Sequence, residues 1–141
     1  MRQLHLAFKF SAFMLACTAC SSAVAAKDIY LTDAIKTPSY LHALTNLLKG
    51  VPSLPPWTKQ VLKTTGDYVG APVDYLTVDG TKYTLFNACK PHDCSNNALE
   101  LMFTPNGTQA WGAIVIDGNS VIYLGAPSAA QQSVLKAPLQ Q

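Results

Sequence analysis

The stretch Val73-Asp74-Tyr75-Leu76-Thr77-Val78-Asp79-Gly80-Thr81-Lys82-Tyr83-Thr84-Leu85-Phe86-Asn87-Ala88 decides the fold class. Val73, Tyr75 and Thr77 recur at every second position, the period of a strand that shows one face inward. Asp79-Gly80 then supplies two residues that tolerate the left-handed backbone of a tight hairpin turn. Thr81 to Ala88 is therefore expected to return antiparallel, beside the strand it follows.

Downstream the same period continues. Ala98 to Thr104 reads as a third strand, and Pro105-Asn106-Gly107 turns into a fourth, Gln109 to Ile116. Asn106-Gly107-Thr108 also matches a glycosylation acceptor, but the composition is that of a turn. Asp117-Gly118-Asn119 turns again into a fifth strand, Ser120 to Leu124, and Pro127 to Leu135 carries enough apolar residues for a short terminal helix. Upstream the period is 3.6. Thr37-Pro38 gives a cap and a first-turn proline, Tyr40, Leu41, Leu44, Leu47 and Leu48 form one stripe, and Gly50 and Pro52 end it. Ile29 to Ile35 reads as a helical turn of its own. Pro55-Pro56 starts a second helix carrying Trp57, Val61 and Leu62, with Gly66 as its stop. Helices, then strands joined by tight turns, then a helix predict an α+β fold: a five-stranded antiparallel meander sheet flanked by N-terminal and C-terminal helices.

The first 25 residues have the order of a secretory signal peptide: Arg2 and Lys9, an apolar run from Phe10 to Ala19, and Ala23-Val24-Ala25 as an A-x-A site. The run is too short to span a membrane. Cleavage there divides the chain into a signal, 1–25, and one mature domain, 26–141, with 116 of the 141 residues. Cys17, after Leu15-Ala16, faintly resembles a lipoprotein processing site, so membrane attachment is expected only with lipidation at Cys17 or Cys20. Removing Arg2 and Lys9 leaves eight basic residues against eight acids, so the precursor's +2 belongs to its export segment. A near-neutral domain without a basic patch gives nucleic acid nothing to bind.

Two cysteines remain, in Cys89-Lys90-Pro91-His92-Asp93-Cys94. In an oxidising exported compartment an even pair this close reads as one disulfide. Closing so short a loop stabilises the fold by only about 2 kcal/mol, and its larger effect is to restrict the four enclosed residues. Pro91 fixes its own φ and biases Lys90 toward extended backbone. His92 offers an imidazole that both donates and accepts, Lys90 a compact positive charge, and Asp93 a carboxylate acceptor. A rigid ring with a polar tip suits insertion into another molecule's cleft; a plain solvated turn is the competing reading.

Other chemistry has little to work with. Cys89, His92 and Cys94 are too cramped for a metal site, and their compartment favours the disulfide, so no metal or cofactor is expected. The spacing is not that of a thiol oxidoreductase. No nucleophile elbow, glycine-rich phosphate loop or zinc-binding H-E-x-x-H helix is present, so catalytic residues and enzymatic activity are not expected. His42, in the first long helix, reads as structural, and Trp57, Tyr75, Tyr83 and Tyr123 as core.

At this loop the chain resembles the Ivy family, inhibitors of vertebrate lysozyme found in the periplasm of Gram-negative bacteria. Cys89-Lys90-Pro91-His92-Asp93-Cys94 matches the family's central motif without departure. Supporting matches are Pro56-Trp57, Gly70-Ala71-Pro72, Gly80-Thr81-Lys82-Tyr83, Ala110-Trp111-Gly112 and Ile122-Tyr123-Leu124-Gly125. The resemblance implies two helices, a five-stranded antiparallel sheet and two more helices. It further implies a periplasmic inhibitor whose His92 enters the active-site cleft of c-type lysozyme, with Cys89 and Cys94 closing the loop and Lys90, Pro91 and Asp93 shaping it. Two alternatives stay open: restraint of the cell's own lytic transglycosylases, or a non-inhibitory module that binds peptidoglycan or the envelope. Family members occur as dimers or monomers, and no self-complementary patch is legible, so a homodimer is left open.

Overall fold

In the computed structural model, which describes residues 27–140, α1 (Leu31–Ala34) leads directly into α2 (Pro38–Lys49). The expected signal segment, with Cys17 and Cys20, lies outside the described residues. Proline at the first position of α2 lacks only an N–H that would have had no helical partner. Ala43, Leu44, Leu47 and Leu48 are buried, so the helix shows one apolar stripe to the sheet, as the 3.6-residue spacing predicts.

The helix opened by Pro55-Pro56 forms, but Pro56–Leu62 is a 3₁₀ helix. Seven residues headed by prolines offer few i→i+4 bonds, so the tighter i→i+3 geometry prevails here. Val61 and Thr58 point it inward.

Six antiparallel strands make the sheet: β1 (Val69–Gly70), β2 (Asp74–Val78), β3 (Thr81–Cys89), β4 (Ala98–Phe103), β5 (Ala110–Val115) and β6 (Ile122–Leu124). β2 through β6 form the expected five-stranded meander, each paired with its successor. β1 is an addition. It pairs Val69 with Cys89 and Gly70 with Ala88, along the edge of β3 that β2 leaves uncovered. Pro72, which has no N–H to give a ladder, separates the two short strands. At the β2–β3 hairpin, Asp79 and Gly80 have φ of 47° and 77°, the left-handed pair that their side chains allow.

Both faces of the sheet are covered. On one, α1, α2 and the 3₁₀ helix pack Leu31, Ile35, Leu44, Leu47 and Val61 against Phe86, Leu99, Leu101, Phe103 and Ile114. On the other, α3 (Ala129–Lys136) sets Leu135 against Val78, Leu85, Met102 and Ala113. Central β4 is therefore buried along nearly its whole length, and its sequence shows no inside–outside alternation. Ser128 caps α3 by accepting from the Gln131 N–H at 3.3 Å, while Gln131 Oε1 accepts from the Ser128 N–H at 2.8 Å. A second 3₁₀ turn, Ala137–Gln140, follows α3, in addition to the one terminal helix expected from the sequence.

α2 is tied to the β4–β5 turn. Tyr40 packs on Phe103 with ring centroids 5.1 Å apart, its hydroxyl donates to Pro105 O at 3.0 Å, and Ser39 Oγ donates to Asn106 O at 2.8 Å. Gly107, at φ 69°, completes that turn against the face of Tyr40, where a Cβ would lie 2.0 Å from a ring carbon. Of the four aromatic residues read as core, Trp57, Tyr83 and Tyr123 are half-buried among apolar neighbours. Tyr75 is not: it is 65 % exposed, because β2 is an outer strand and one side of it faces water.

A candidate binding loop closed by a disulfide

The ring grows out of the β3–β4 pairing, which is as long as that of β4 with β5. β3 and β4 pair from Thr84↔Phe103 to Cys89↔Ala98, and Lys90 N–H continues the ladder by donating to Asn97 O at 3.0 Å. Cys89 is thus a buried strand residue, whereas Cys94 lies in the exposed return. The disulfide joins them with their Cα atoms 5.0 Å apart. Lys90, Pro91, His92 and Asp93, the four residues singled out in the sequence, are brought together in the ring, Lys90 and His92 exposed and Pro91 and Asp93 half-buried.

Within it, Asp93 N–H donates to Lys90 O at 3.1 Å and closes a four-residue turn. Pro91 occupies the second position and His92 the third, with φ of 64°. A turn with proline second and a left-handed third residue is the type II arrangement, in which glycine is usual at that place. Histidine is among the side chains that tolerate the left-handed region, at a cost the surrounding bonds must cover. The outcome is an exposed histidine at the turn's apex, and among the described residues its imidazole has no hydrogen-bond partner in the chain.

Asp93 works inward. Its carboxylate accepts from Asn96 Nδ2 at 2.9 Å, from Asn97 Nδ2 at 2.8 Å and from Lys90 Nζ at 3.2 Å. Those bonds, the one from Asn96 first, then Lys90 and Asn97, hold its pKa below the ordinary value of 3.8. Its backbone carbonyl also accepts from the N–H groups of Asn96 and Asn97. Asp93 is therefore the ring's internal anchor, with its hydrogen-bonding capacity largely spent inside the chain. Lys90 remains exposed, and its ion pair with Asp93, open to water, contributes little to stability.

Sequence reasoning missed the residues beneath the ring. Asn97 is buried, and it reaches the β5–β6 turn as well as Asp93. Asp117 and Gly118, with φ of 51° and 69°, form that turn, and Gly118 N–H donates to Asn96 O at 2.9 Å. The paired asparagines Asn96-Asn97, separated from Cys94 by Ser95, were the only signal in the sequence. His42 sits on the exposed side of α2, 2.9 Å from Asn46 Nδ2, and takes no part in the site.

Among the described residues outside the ring, Glu100 is the ionisable group whose pKa moves furthest. Glu100, on β4 opposite Asn87 and Ala113, is buried, and desolvation raises its pKa from 4.5 to about 7 against the lowering effect of the Asn87 amide. Among the described residues no cluster of three or more His, Cys, Asp or Glu side chains is placed to hold a metal ion.

Comparison with known proteins agrees with the arrangement. Residues 52–138 match the family described as Inhibitor of vertebrate lysozyme (Ivy), a span that includes the whole sheet and the ring. An Inhibitor of vertebrate lysozyme from Pseudomonas aeruginosa is 30% identical over 82 residues, 58% of this chain and 50% of that protein. One from Escherichia coli is 29% identical over 105 residues, 74% of this chain and 62% of its own length. An uncharacterised protein of Yersinia pestis is 28% identical over 123 residues, 79% of this chain and 77% of that protein. With the matched span, the disulfide ring and the antiparallel α+β fold in agreement, this chain belongs to the Ivy family of lysozyme inhibitors.

Proposed function

We propose that this chain inhibits c-type lysozyme by inserting the Cys89–Cys94 ring, His92 foremost, into the enzyme's active-site cleft. The observation that carries the proposal is the exposed imidazole, without a hydrogen-bond partner among the described residues, at the apex of a turn that Lys90, Asn96 and Asn97 brace through Asp93. Family membership and the names of the relatives support the choice of target. Lysozyme cleaves its polymer with two carboxyl groups, one kept neutral as general acid and one ionised. An imidazole between them can donate to the ionised oxygen and hydrogen-bond the other, which occupies both catalytic groups and the space the sugar needs. A ring already held in its bound shape loses little entropy on entering. The protein acts here as an inhibitor, without catalysis of its own.

Export fits this role. Cleavage after Ala25 would release a single domain, 26–141, into the periplasm, between the cell wall and any lysozyme that crosses the outer membrane. Near-neutral charge makes steering toward a basic enzyme weak, so affinity rests on the contacts of the ring.

The test is titration of oxidised 26–141 into a c-type lysozyme while following cell-wall lysis. Stoichiometric inhibition is expected. His92→Ala should cost about 2–4 kcal/mol of binding, the range of a central anchor. His92→Asn removes the imidazole but suits a φ of 64°, so it separates loss of the side chain from strain in the turn. If both variants inhibit within tenfold of the wild type, His92 is not the anchor. If the wild type itself fails to inhibit, the target lies elsewhere, with lytic transglycosylases or the wall polymer next to be tried.

A further inference from the structure

We infer that Asn97 is the positioning residue of the inhibitory ring: a buried carboxamide that pins the ring to the β5–β6 turn and thereby aims His92. The inference rests on the reading of His92 as the anchor and adds a residue to it. Asn97 is 2 % exposed. Its Nδ2 donates to Asp93 Oδ2 at 2.8 Å and to Asp117 Oδ1 at 3.3 Å, while its Oδ1 accepts from Asp117 N–H at 3.3 Å. Its backbone is used as fully, accepting from Lys90 N–H at 3.0 Å and donating to Asp93 O at 2.9 Å.

The chemistry of the side chain explains the choice of asparagine. Two carboxylates, from Asp93 and Asp117, converge on one buried point and can only accept, whereas the N–H of Asp117 can only donate. A carboxamide supplies two donors and an acceptor at once. Aspartate there would add a third carboxylate, and leucine, though of similar size, would remove one of the three side-chain donors to Asp93 and the bonds that Asn97 makes to the Asp117 carboxylate and N–H. Asn97 also lies where the return from the ring meets the β5–β6 turn, a contact its side chain shares with the bond from Gly118 N–H to Asn96 O. The disulfide closes the ring upon itself, and Asn97 orients it against the turn twenty residues on.

A double-mutant cycle with His92 separates positioning from simple structural support, because residues acting through one another are non-additive. Asn97→Ala should keep cooperative thermal unfolding and the disulfide, and should weaken lysozyme inhibition by about tenfold, as loss of hydrogen bonds to a carboxylate allows. In a His92→Ala background the same change should weaken it by less than about threefold, since no anchor is left to misplace. Equal losses in both backgrounds would make Asn97 merely structural and overturn the inference, as would unchanged inhibition by Asn97→Ala. If His92→Ala alone had no effect, the anchor assignment would fall first, an outcome the cycle distinguishes. Should Asn97→Ala not fold, Asp117→Gly removes the carboxylate arm of the pin and leaves the backbone N–H bond to Asn97 Oδ1, at a φ of 51° that suits glycine. A loss that vanishes without His92 would support the inference, and full inhibition would overturn it.

Discussion

Replacing Glu100 by glutamine should flatten the pH dependence of stability. Glu100 is 2 % exposed, on the β4 face that α3 covers, and the Asn87 side chain donates to its Oε1. Burial moves its pKa from 4.5 to about 7. Between those two values the folded state holds a proton that the unfolded chain has released, so stability falls as pH rises through the window. The slope is about 1.4 kcal/mol per pH unit, which over about 2.5 units gives about 3 kcal/mol, present in full below pH 4.5 and lost above about 7. Asp33 and Asp93 act with the opposite sign, but their lowered pKa values confine the effect to pH below about 3.8, outside the window. Urea unfolding of wild type and Glu100→Gln at a series of pH values from 4.5 to 8 is the assay. Glutamine keeps an oxygen for Asn87 and cannot ionise, so the variant should match the wild type at pH 4.5 and exceed it by about 3 kcal/mol at pH 8. Subtracting the two profiles cancels every other titrating group. Parallel profiles would refute the argument and mean that Glu100 is solvated or compensated when charged.

Reducing Cys89–Cys94 should lower stability by only about 2 kcal/mol, with near-native circular dichroism, because the loop is short and β3 and β4 pair without it. Inhibition should weaken more than stability does, and an equally potent reduced protein would show that the Asp93 network alone holds the ring. Gly107→Ala should destabilise by about 3 kcal/mol, since its Cβ would enter the Tyr40 ring and its φ of 69° disfavours alanine. A melting temperature within a few degrees of the wild type would mean that the β4–β5 turn readily detaches from α2.

Several features of this protein follow from spacing along the chain. The stripe of α2, the hairpin turns at Asp79-Gly80 and Asp117-Gly118, and the cysteines five positions apart all act between near neighbours. Such signals survive in any context, because they depend on helical or strand period and on which residues accept a positive φ. The resemblance at Cys89–Cys94 pointed to the family for the same reason, since the motif is one unbroken run. What tertiary structure decided is what depends on register. Pairing of β3 with β4, and of β4 with β5, is what places Glu100 out of water and turns an ordinary carboxylate into one that titrates near neutrality. An outer position in the sheet exposes Tyr75, which reads as core from the sequence alone. Packing of the β5–β6 turn under the ring brings Asp117 to Asn97 across twenty residues. No local pattern encodes that approach, because it exists only once the sheet has assembled and a buried polar group must find its partners.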